Sequence, residues 1–369
     1  MPTFSPQQDA ALKAISLWLK DKKGAQVFRM FGFAGTGKTT LARHIAENID
    51  GDVRFAAFTG KAALVLRSKG CEGASTIHSL IYRSRSTDEE TPEFVINRQS
   101  DAGDAKLIII DECSMVDEDL GRDLLSFGTR VLVLGDPAQL PPVKGGGYFT
   151  EAEPDIMLSE VHRQARDNPI VALSMAVRAG EKLVRGIYGE SRVIGRDEIN
   201  SEMVLSANQV LVGTNKTRRM YNTRIRNLMG YHDPLPGIGE RLVCLRNEKK
   251  KGLLNGSMWS VKEMRASKSK LVIMNVTPLD ELEGVKQGKS IKVSVLPDFF
   301  NGAEEDIPYT LRRNSDEFTY GYALTVHKSQ GSQWDEVMLF DESYAFREHS
   351  ARWLYTGLTR AAERITIVV

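Results

Sequence analysis

The segment Gly32-Phe33-Ala34-Gly35-Thr36-Gly37-Lys38-Thr39 sets glycine, lysine and threonine at the spacing GxxxxGK[ST]. Each residue type answers a need of a polyphosphate. The glycines let the loop curl, so that backbone N–H groups face inward around a β-phosphate beside a helix N-terminus, and Gly32, Ala34, Gly35, Thr36 and Gly37 are expected to hold ATP. The Lys38 ammonium can reach β- and γ-phosphates as a point charge, and the Thr39 hydroxyl can ligate Mg²⁺. Thr40 completes the set expected to hold ATP. An apolar run, Gln26–Phe31, precedes the loop and a helix over Thr39–Asn48 is expected to follow, which is the context a phosphate loop requires. Farther on, Leu107-Ile108-Ile109-Ile110 empties into Asp111-Glu112. A carboxylate at the C-terminal edge of a parallel strand is where Mg²⁺ would sit, and Glu112, one residue on, is free to orient or deprotonate a water. Acidic pairs often cap helices, but one that follows four β-formers downstream of a phosphate loop points to hydrolysis.

Elements that alternate as βαβ units must position these groups. Val53–Phe58 reads as a strand, Lys61–Ser68 as a helix, and Leu107–Ile110 and Val131–Leu134 as strands buried on both faces. Tyr82–Lys106 is a polar stretch around Phe94-Val95-Ile96, read as a small insertion. The periodicity lapses at Thr150–Asp155 and a second αβ pattern begins near Leu158, with a strand at Gln209–Gly213 and a basic helix at Lys216–Met229. From Pro234 to about Asp316 come short β-rich runs, Arg241–Leu245, Met258–Val261, Leu271–Val276 and Ile291–Val295, separated by Gly, Asn, Pro and Lys. They predict a small β-barrel or sheet inserted in the second domain. The αβ pattern returns with Phe318–Tyr322, Val337–Phe340, a helix over Ser350–Ala362 and a strand at Arg364–Val369. The expected class is α/β, with domains over about 1–155 and 156–369 and a β-rich insertion over about 234–316.

Composition narrows the function less. Hydrophobic residues are 41% and charged residues 26%, the mixture of a soluble globular chain. No apolar run is long enough to span a membrane, and Met1–Ala10 lacks a signal-peptide pattern, so a cytoplasmic protein with no membrane partner is expected. Cys71, Cys113 and Cys244 lie far apart without zinc spacing and read as reduced thiols. With 49 basic against 48 acidic residues, the net charge of +1 does not announce a nucleic-acid binder. Lys216, Arg218, Arg219, Arg224 and Arg226 cluster, as do Arg246 and Lys249 to Lys251. A solvated surface explains such clusters as well as a polyanion does.

The order of short segments is more specific, and over nearly the whole chain it resembles superfamily 1 helicases, closest to the 5′→3′ branch of RecD-like and Dda-like proteins. Phe4-Ser5-Pro6-Gln7-Gln8-Asp9-Ala10-Ala11 is similar to the glutamine motif, which implies that Gln8 reads the adenine edge. Ala57-Phe58-Thr59-Gly60-Lys61-Ala62-Ala63 and Ala74-Ser75-Thr76-Ile77-His78-Ser79-Leu80 resemble strand-binding motifs, implying Phe58, Thr59, Lys61, Thr76 and His78 at nucleic acid. For Phe58, which ends an apolar strand, a core position is an equal reading. Leu134-Gly135-Asp136-Pro137-Ala138-Gln139-Leu140-Pro141-Pro142 resembles the motif that joins γ-phosphate to strand, with Gln139 as sensor and Pro141, Pro142 and Val143 on the strand. Leu158-Ser159-Glu160-Val161-His162-Arg163-Gln164 implies that Arg163 approaches the γ-phosphate. Tyr322-Ala323-Leu324-Thr325-Val326-His327-Lys328-Ser329-Gln330-Gly331 implies strand contacts from Thr325, His327 and Lys328, with Gly331 at the nucleotide. Leu354-Tyr355-Thr356-Gly357-Leu358-Thr359-Arg360-Ala361 implies a second arginine finger, Arg360. Leu254-Asn255-Gly256 is similar to a turn in the inserted barrel of RecD-like proteins. Asn215, with Arg218 and Asn222, adds a further candidate strand contact on the basic helix.

The resemblance implies two RecA-like domains with an SH3-like barrel in the second, ATP and Mg²⁺ as cofactors, and hydrolysis between domains that steps a monomer along single-stranded DNA. Duplex junctions and replication or recombination proteins would be its partners. Alone, Arg163 and Arg360 would more often be surface or ion-paired arginines. Gln333 stands where related helicases often carry Glu, so no ribose contact is assigned to it. The Tyr82–Lys106 insertion reads either as a duplex-splitting hairpin with Phe94 near its tip or as a plain surface loop. Three other readings stay open beside a DNA motor: an RNA helicase, a nucleotide-gated binding module without unwinding, and, disfavoured by length, a P-loop kinase. The motifs fill the chain, so no fused nuclease is expected.

Overall fold

The structure is a computed structural model, which describes residues 4–85, 93–142, 146–160, 168–265, 270–279, 289–304 and 306–369. The chain divides into two compact units. The first takes in the N-terminal residues to Lys182 together with 351–359, and the second takes in 183–350 and 360–369.

In the first unit, strands β1 (Val27–Gly32), β2 (Val53–Ala57), β3 (Ser75–Thr76), β6 (Leu107–Asp111), β7 (Val131–Gly135) and β8 (Ile156–Leu158) form one parallel sheet in the order β3-β2-β6-β7-β1-β8. Between β3 and β6 lies an antiparallel hairpin, β4 (Tyr82–Arg85) with β5 (Glu93–Ile96). The apolar runs bury both faces of the sheet, as their lack of polar alternation predicts. Met30, Ile109, Leu132 and Leu134 pack with α1 (Pro6–Lys20), α2 (Lys38–Glu47) and α3 (Gly60–Ser68). Phe31, Ile108, Ile110, Val131 and Val133 pack on the other face with α4 (Ile77–Ile81), α5 (Glu118–Leu125) and Phe149. Ser5 and Gln8 form a capping box that starts α1.

The strand order matters for chemistry. Because β6, β7 and β1 are neighbours, the turns leaving their C-terminal ends stand side by side, which is where open α/β sheets bind ligands. Those turns carry Asp111-Glu112, Asp136–Gln139 and the glycine loop.

In the second unit, β9 (Gly186–Tyr188), β10 (Ser191–Ile194), β11 (Gln209–Val212), β17 (Ala323–Thr325), β18 (Trp334–Phe340) and β19 (Ala361–Val368) form a sheet ordered β17-β11-β18-β19-β10-β9. It is parallel except for the β9–β10 hairpin. Inserted in it, β12 (Arg241–Cys244), β13 (Met258–Arg265), β14 (Val272–Pro278), β15 (Ile291–Val295) and β16 (Phe318–Tyr320) make an antiparallel sheet ordered β15-β14-β13-β12-β16. A bridge between Val295 and Asp316, just ahead of β16, brings the two ends of that sheet together. Trp259 and Phe318 fill its interior edge to face. The expected strand at Phe318–Tyr322 is two strands, β16 in the antiparallel sheet and β17 in the parallel one. The expected helix over Ser350–Ala362 ends at Leu358, and β19 begins at Ala361. Cys71, Cys113 and Cys244 are free thiols, all buried. Among the described residues no helix is long and apolar enough to cross a membrane.

Candidate nucleotide and nucleic-acid site

The glycine loop leaves β1 at Gly32, where an added Cβ would lie 2.7 Å from Thr36 Oγ1 and 2.8 Å from Leu158 Cβ, so only glycine fits. Gly35 and Gly37 adopt φ of 78° and 80°, left-handed values that favour glycine. Thr36 is buried and its hydroxyl donates to Phe33 O at 2.8 Å. The Gln8 amide donates to Thr36 O at 3.0 Å and accepts from Ser5 N–H at 3.0 Å, so it braces the loop from α1. Lys38 Nζ donates to Gly32 O at 2.7 Å and Phe33 O at 3.0 Å. Thr40 is exposed one position past Thr39.

Thr39 Oγ1 donates to Asp111 Oδ2 at 2.9 Å, joining the start of α2 to the end of β6. A hydroxyl and a carboxylate are hard oxygen donors, the kind Mg²⁺ takes when it also binds substrate phosphates. Among the described residues there is no group of three or more His, Cys, Asp or Glu that could hold a metal ion. Asp111 Oδ1 accepts the Glu112 N–H at 2.9 Å, and Glu112 takes φ of 53°. A left-handed non-glycine residue is strained, and such strain collects where a side chain must point out of line with its strand. Cys113 packs beneath this turn, where a Cβ on Gly135 would lie 2.5 Å from its Sγ.

The turn after β7 is organised by Asp136, whose Oδ1 accepts Ala138 N–H at 3.0 Å. Gln139 is 7% exposed, and its Oε1 is a buried acceptor that no described group meets. Pro141 and Pro142 follow, half-buried. The helix Ser350–Leu358, whose residues from Ala351 on belong to the first unit, contributes two bonds to these turns. Leu140 N–H donates to Thr356 Oγ1 at 3.0 Å, and the Tyr355 hydroxyl donates to Asp136 Oδ2 at 2.6 Å.

Of the other candidates in the first unit, the rings of Phe58, His78 and Tyr82 follow one another at 5.9 and 5.7 Å. Phe58 is half-buried, midway between the two readings of it. The Thr59 and Thr76 hydroxyls accept from Ala62 N–H and Ser79 N–H and are therefore N-caps of α3 and α4, a job the strand-contact reading did not foresee. Lys61 lies on the first turn of α3. Phe94 lies on β5, opposite Ser84 and exposed, and residues 86–92 lie outside the described residues. So do Val143 and Arg163.

In the second unit, Thr325 ends β17 and its hydroxyl accepts Lys328 N–H at 3.3 Å. His327 begins the turn His327–Ser329, 5.3 Å from Phe346, and Lys328 is exposed beside it. Gly331 takes φ of 75°. Arg360 is 5% exposed, and its Nη1 donates to Ser332 O at 3.3 Å. Asn215 is exposed at the start of the helix Asn215–Leu228. The basic helix is a solvated face only in part: Lys216, Arg219 and Arg224 are exposed, while Arg218 is buried against Glu304 and Arg226 against Glu240. Asn222 is likewise buried, holding Tyr322 N–H and Ala323 N–H at 3.0 Å each, so it faces protein and not a strand.

Burial, with His349 second, lowers the pKa of His327. The native state therefore takes up a proton at lower pH than the unfolded chain, whose histidines titrate near ~6.5. The stability so gained is present above that value and is lost as pH falls through the native one. Melting temperature should drop between pH 7 and 5.5, and His327→Asn should flatten that drop. An unchanged profile in the variant would remove His327 from this account.

Sequence reasoning passed over Gln7, Tyr82, Arg178, Tyr355 and Thr356. The Gln7 side chain clamps Met157 O, Ser159 N–H and Glu160 N–H. Tyr82 donates to Asp123 at 2.6 Å, and the Arg178 guanidinium lies 3.5 Å over the Phe33 ring.

Comparison with known proteins gives two matched regions of the chain. The family model for an AAA domain matches residues 3–195, just over half of the chain, and that for a UvrD-like helicase C-terminal domain matches residues 320–368. An ATP-dependent RecD2 DNA helicase of Deinococcus radiodurans is 28% identical over 373 residues, covering 92% of this chain and 46% of that protein. The ATP-dependent DNA helicase dda of Enterobacteria phage T4 is 30% identical over 264 residues, covering 64% of this chain and 60% of that protein. The chain thus spans less than two thirds of either relative. Among solved structures, Bacteroides Pif1 bound to ssDNA superposes with a TM-score of 0.60 at 17% identity, covering 99% of this chain and 92% of that one. Pif1 helicase from Candida albicans gives 0.58 at 19% identity, covering 100% and 94%, and both likenesses bear on the fold, two RecA-like domains. With its phosphate loop, its paired carboxylates and the arginine-bearing C-terminal segment all falling inside matched regions, the chain belongs to the superfamily 1 helicases, among the RecD-like and Dda-like proteins.

Proposed function

We propose that this protein hydrolyses ATP to step along single-stranded DNA, 5′ to 3′, and to open duplex at junctions. The observation that carries the reading is the bond between Thr39 and Asp111, which sets metal-side oxygens beside the glycine loop at the end of a parallel sheet. The substrate is ATP. Mg²⁺ held by Thr39 and Asp111 would neutralise charge on its phosphates. Lys38 leaves the carbonyls of Gly32 and Phe33 to meet the β- and γ-phosphates, and the loop amides orient them. Glu112 positions the attacking water and takes its proton, while the buried Gln139 amide senses the terminal phosphate. Arg163 and Arg360 stabilise the charge that develops there. Phe58, His78, Thr325, His327 and Lys328, with Lys61, Pro141 and Pro142, hold the strand, the aromatic rings by stacking on bases. Thr59 and Thr76 act indirectly, by fixing the helix starts from which their neighbours reach it.

The two units serve, in this reading, as the two RecA-like domains, and the closed five-stranded sheet is an SH3-like barrel inserted in the second. The relatives named as ATP-dependent DNA helicases support the substrate class. Lys38→Ala is expected to lower ATP turnover stimulated by single-stranded DNA by ~10²–10³, the usual loss on removing one preorganised charge contact. Wild-type turnover indifferent to DNA would refute the motor. Strand displacement on 5′- and 3′-tailed DNA and RNA duplexes fixes track and direction, and binding without displacement would favour a nucleotide-gated binding module.

A further inference from the structure

One backbone N–H of the glycine loop is paired with a side chain far away in sequence. Ala34 N–H donates to the Tyr355 hydroxyl at 3.3 Å, and that hydroxyl donates its own proton to Asp136 Oδ2 at 2.6 Å. The ring is 1% exposed, so packing fixes where the hydroxyl stands. Burial first, then Asp136, raises the phenol pKa, and the group stays a protonated donor. Asp136 in turn shapes the turn that leads to Gln139, Leu140, Pro141 and Pro142.

An amide carries one proton. A phosphate oxygen settling in the loop claims the inward N–H groups, and Ala34 N–H cannot serve that oxygen and Tyr355 at full strength together. We infer that Tyr355 is a positioning residue that competes with the nucleotide for Ala34 N–H, so that phosphate entry is passed through its hydroxyl to Asp136 and the Gln139–Pro142 segment. The inference rests on the ATPase reading above and deepens it. It names the group through which nucleotide affinity and the geometry of a strand-facing segment are linked.

Tyr355→Phe deletes the hydroxyl and keeps the ring. The experiment measures, on the full chain, the Kd of a fluorescent non-hydrolysable ATP analogue with and without oligo(dT). In the variant the analogue Kd is expected to fall three-fold or more, and the factor by which oligo(dT) changes that Kd to shrink toward one. Mere loosening of the helix would weaken binding, so the direction of change separates the two. Thr356→Val removes the neighbouring bond to Leu140 without touching Ala34 and should not tighten analogue binding. Unchanged or weaker binding by Tyr355→Phe, or equal changes in both variants, would overturn the inference. Should Tyr355→Phe not fold, Asp136→Asn weakens the charge-assisted bond that holds the hydroxyl and must shift the Kd in the same direction. Wild-type chain that fails to bind the analogue refutes the ATP reading and this inference together, whereas binding that Tyr355→Phe leaves untouched refutes the inference alone.

Discussion

Arg360→Ala is expected to lower DNA-stimulated ATP turnover by on the order of 10³–10⁵, the contribution of an arginine finger to phosphoryl transfer. Oligonucleotide affinity should stay within a few-fold. The competing explanation is structural, since Arg360 is 5% exposed, its Nη1 donates to Ser332 O and its own carbonyl accepts Trp334 N–H at 2.9 Å. The two roles leave different marks. A structural arginine lost to alanine lowers the melting temperature and pulls KM and kcat together. A group engaged only as charge develops lowers kcat and leaves KM in place. Arg360→Lys sharpens the distinction: lysine keeps the charge but not the planar fork, so it should restore little turnover if two phosphate oxygens are addressed at once. Turnover within ten-fold of wild type in Arg360→Ala, at an unchanged melting temperature, would end the finger assignment.

The second large effect concerns folding. Glu240 is fully buried just ahead of β12 and accepts from Arg226 Nε at 2.7 Å, Arg226 Nη2 at 2.9 Å and Gly237 N–H at 2.7 Å. Arg226 also donates to Asp233 O and Leu235 O, and its guanidinium lies 4.0 Å over the Tyr320 ring. Burial, the largest single influence, lowers the Arg226 pKa, but the Glu240 hydrogen bonds together with the charges of Tyr320, Glu240 and Tyr322 outweigh it and the pKa is raised. Glu240→Ala therefore leaves a buried cation without its counter-charge, which costs roughly 3–5 kcal/mol. The urea midpoint of the second unit should fall accordingly. Replacing both partners, as Arg226→Met with Glu240→Leu, removes the stranded charge along with the pair and should be less harmful than Glu240→Ala alone. A double variant no more stable than the single one would contradict the charge-burial argument.

The geometry of the glycine loop and the carboxylate turn was legible in sequence because its signals are local. The glycine loop, the strand before it and the carboxylates after Leu107–Ile110 each declare themselves within a few residues. What escaped notice is held by distant partners. Tyr355 meets Ala34 and Asp136 across 321 and 219 positions, and no periodicity carries that information. The basic helix shows the same limit. Arg218, Asn222 and Arg226 share one helical face, and their composition reads as solvated, yet Glu304 and Glu240 arrive from elsewhere to pair the charges. Phe318–Tyr322 was read as one strand because an apolar run looks alike in either sheet. Gly321 and the Asn222 side chain divide it. The caps at Thr59 and Thr76 were available to sequence reasoning, since a threonine one residue ahead of a helix is an N-cap signal.

That division has a mechanical consequence. Only Gly321 and Tyr322 separate the last strand of the inserted antiparallel sheet, β16, from β17, whose end carries Thr325. Gly321 N–H donates to Arg241 O at 3.0 Å, and a Cβ there would press on Met258 Cε and the Leu242 backbone. Asn222 grips the next two amides from the helix beside them. The joint has no slack. A displacement of the inserted sheet would therefore be felt within a few residues, at Thr325, His327 and Lys328. The insertion is geared to the central sheet as a tiller is to its rudder, and a glycine-rich spacer placed between Tyr320 and Ala323 would be the way to disengage it.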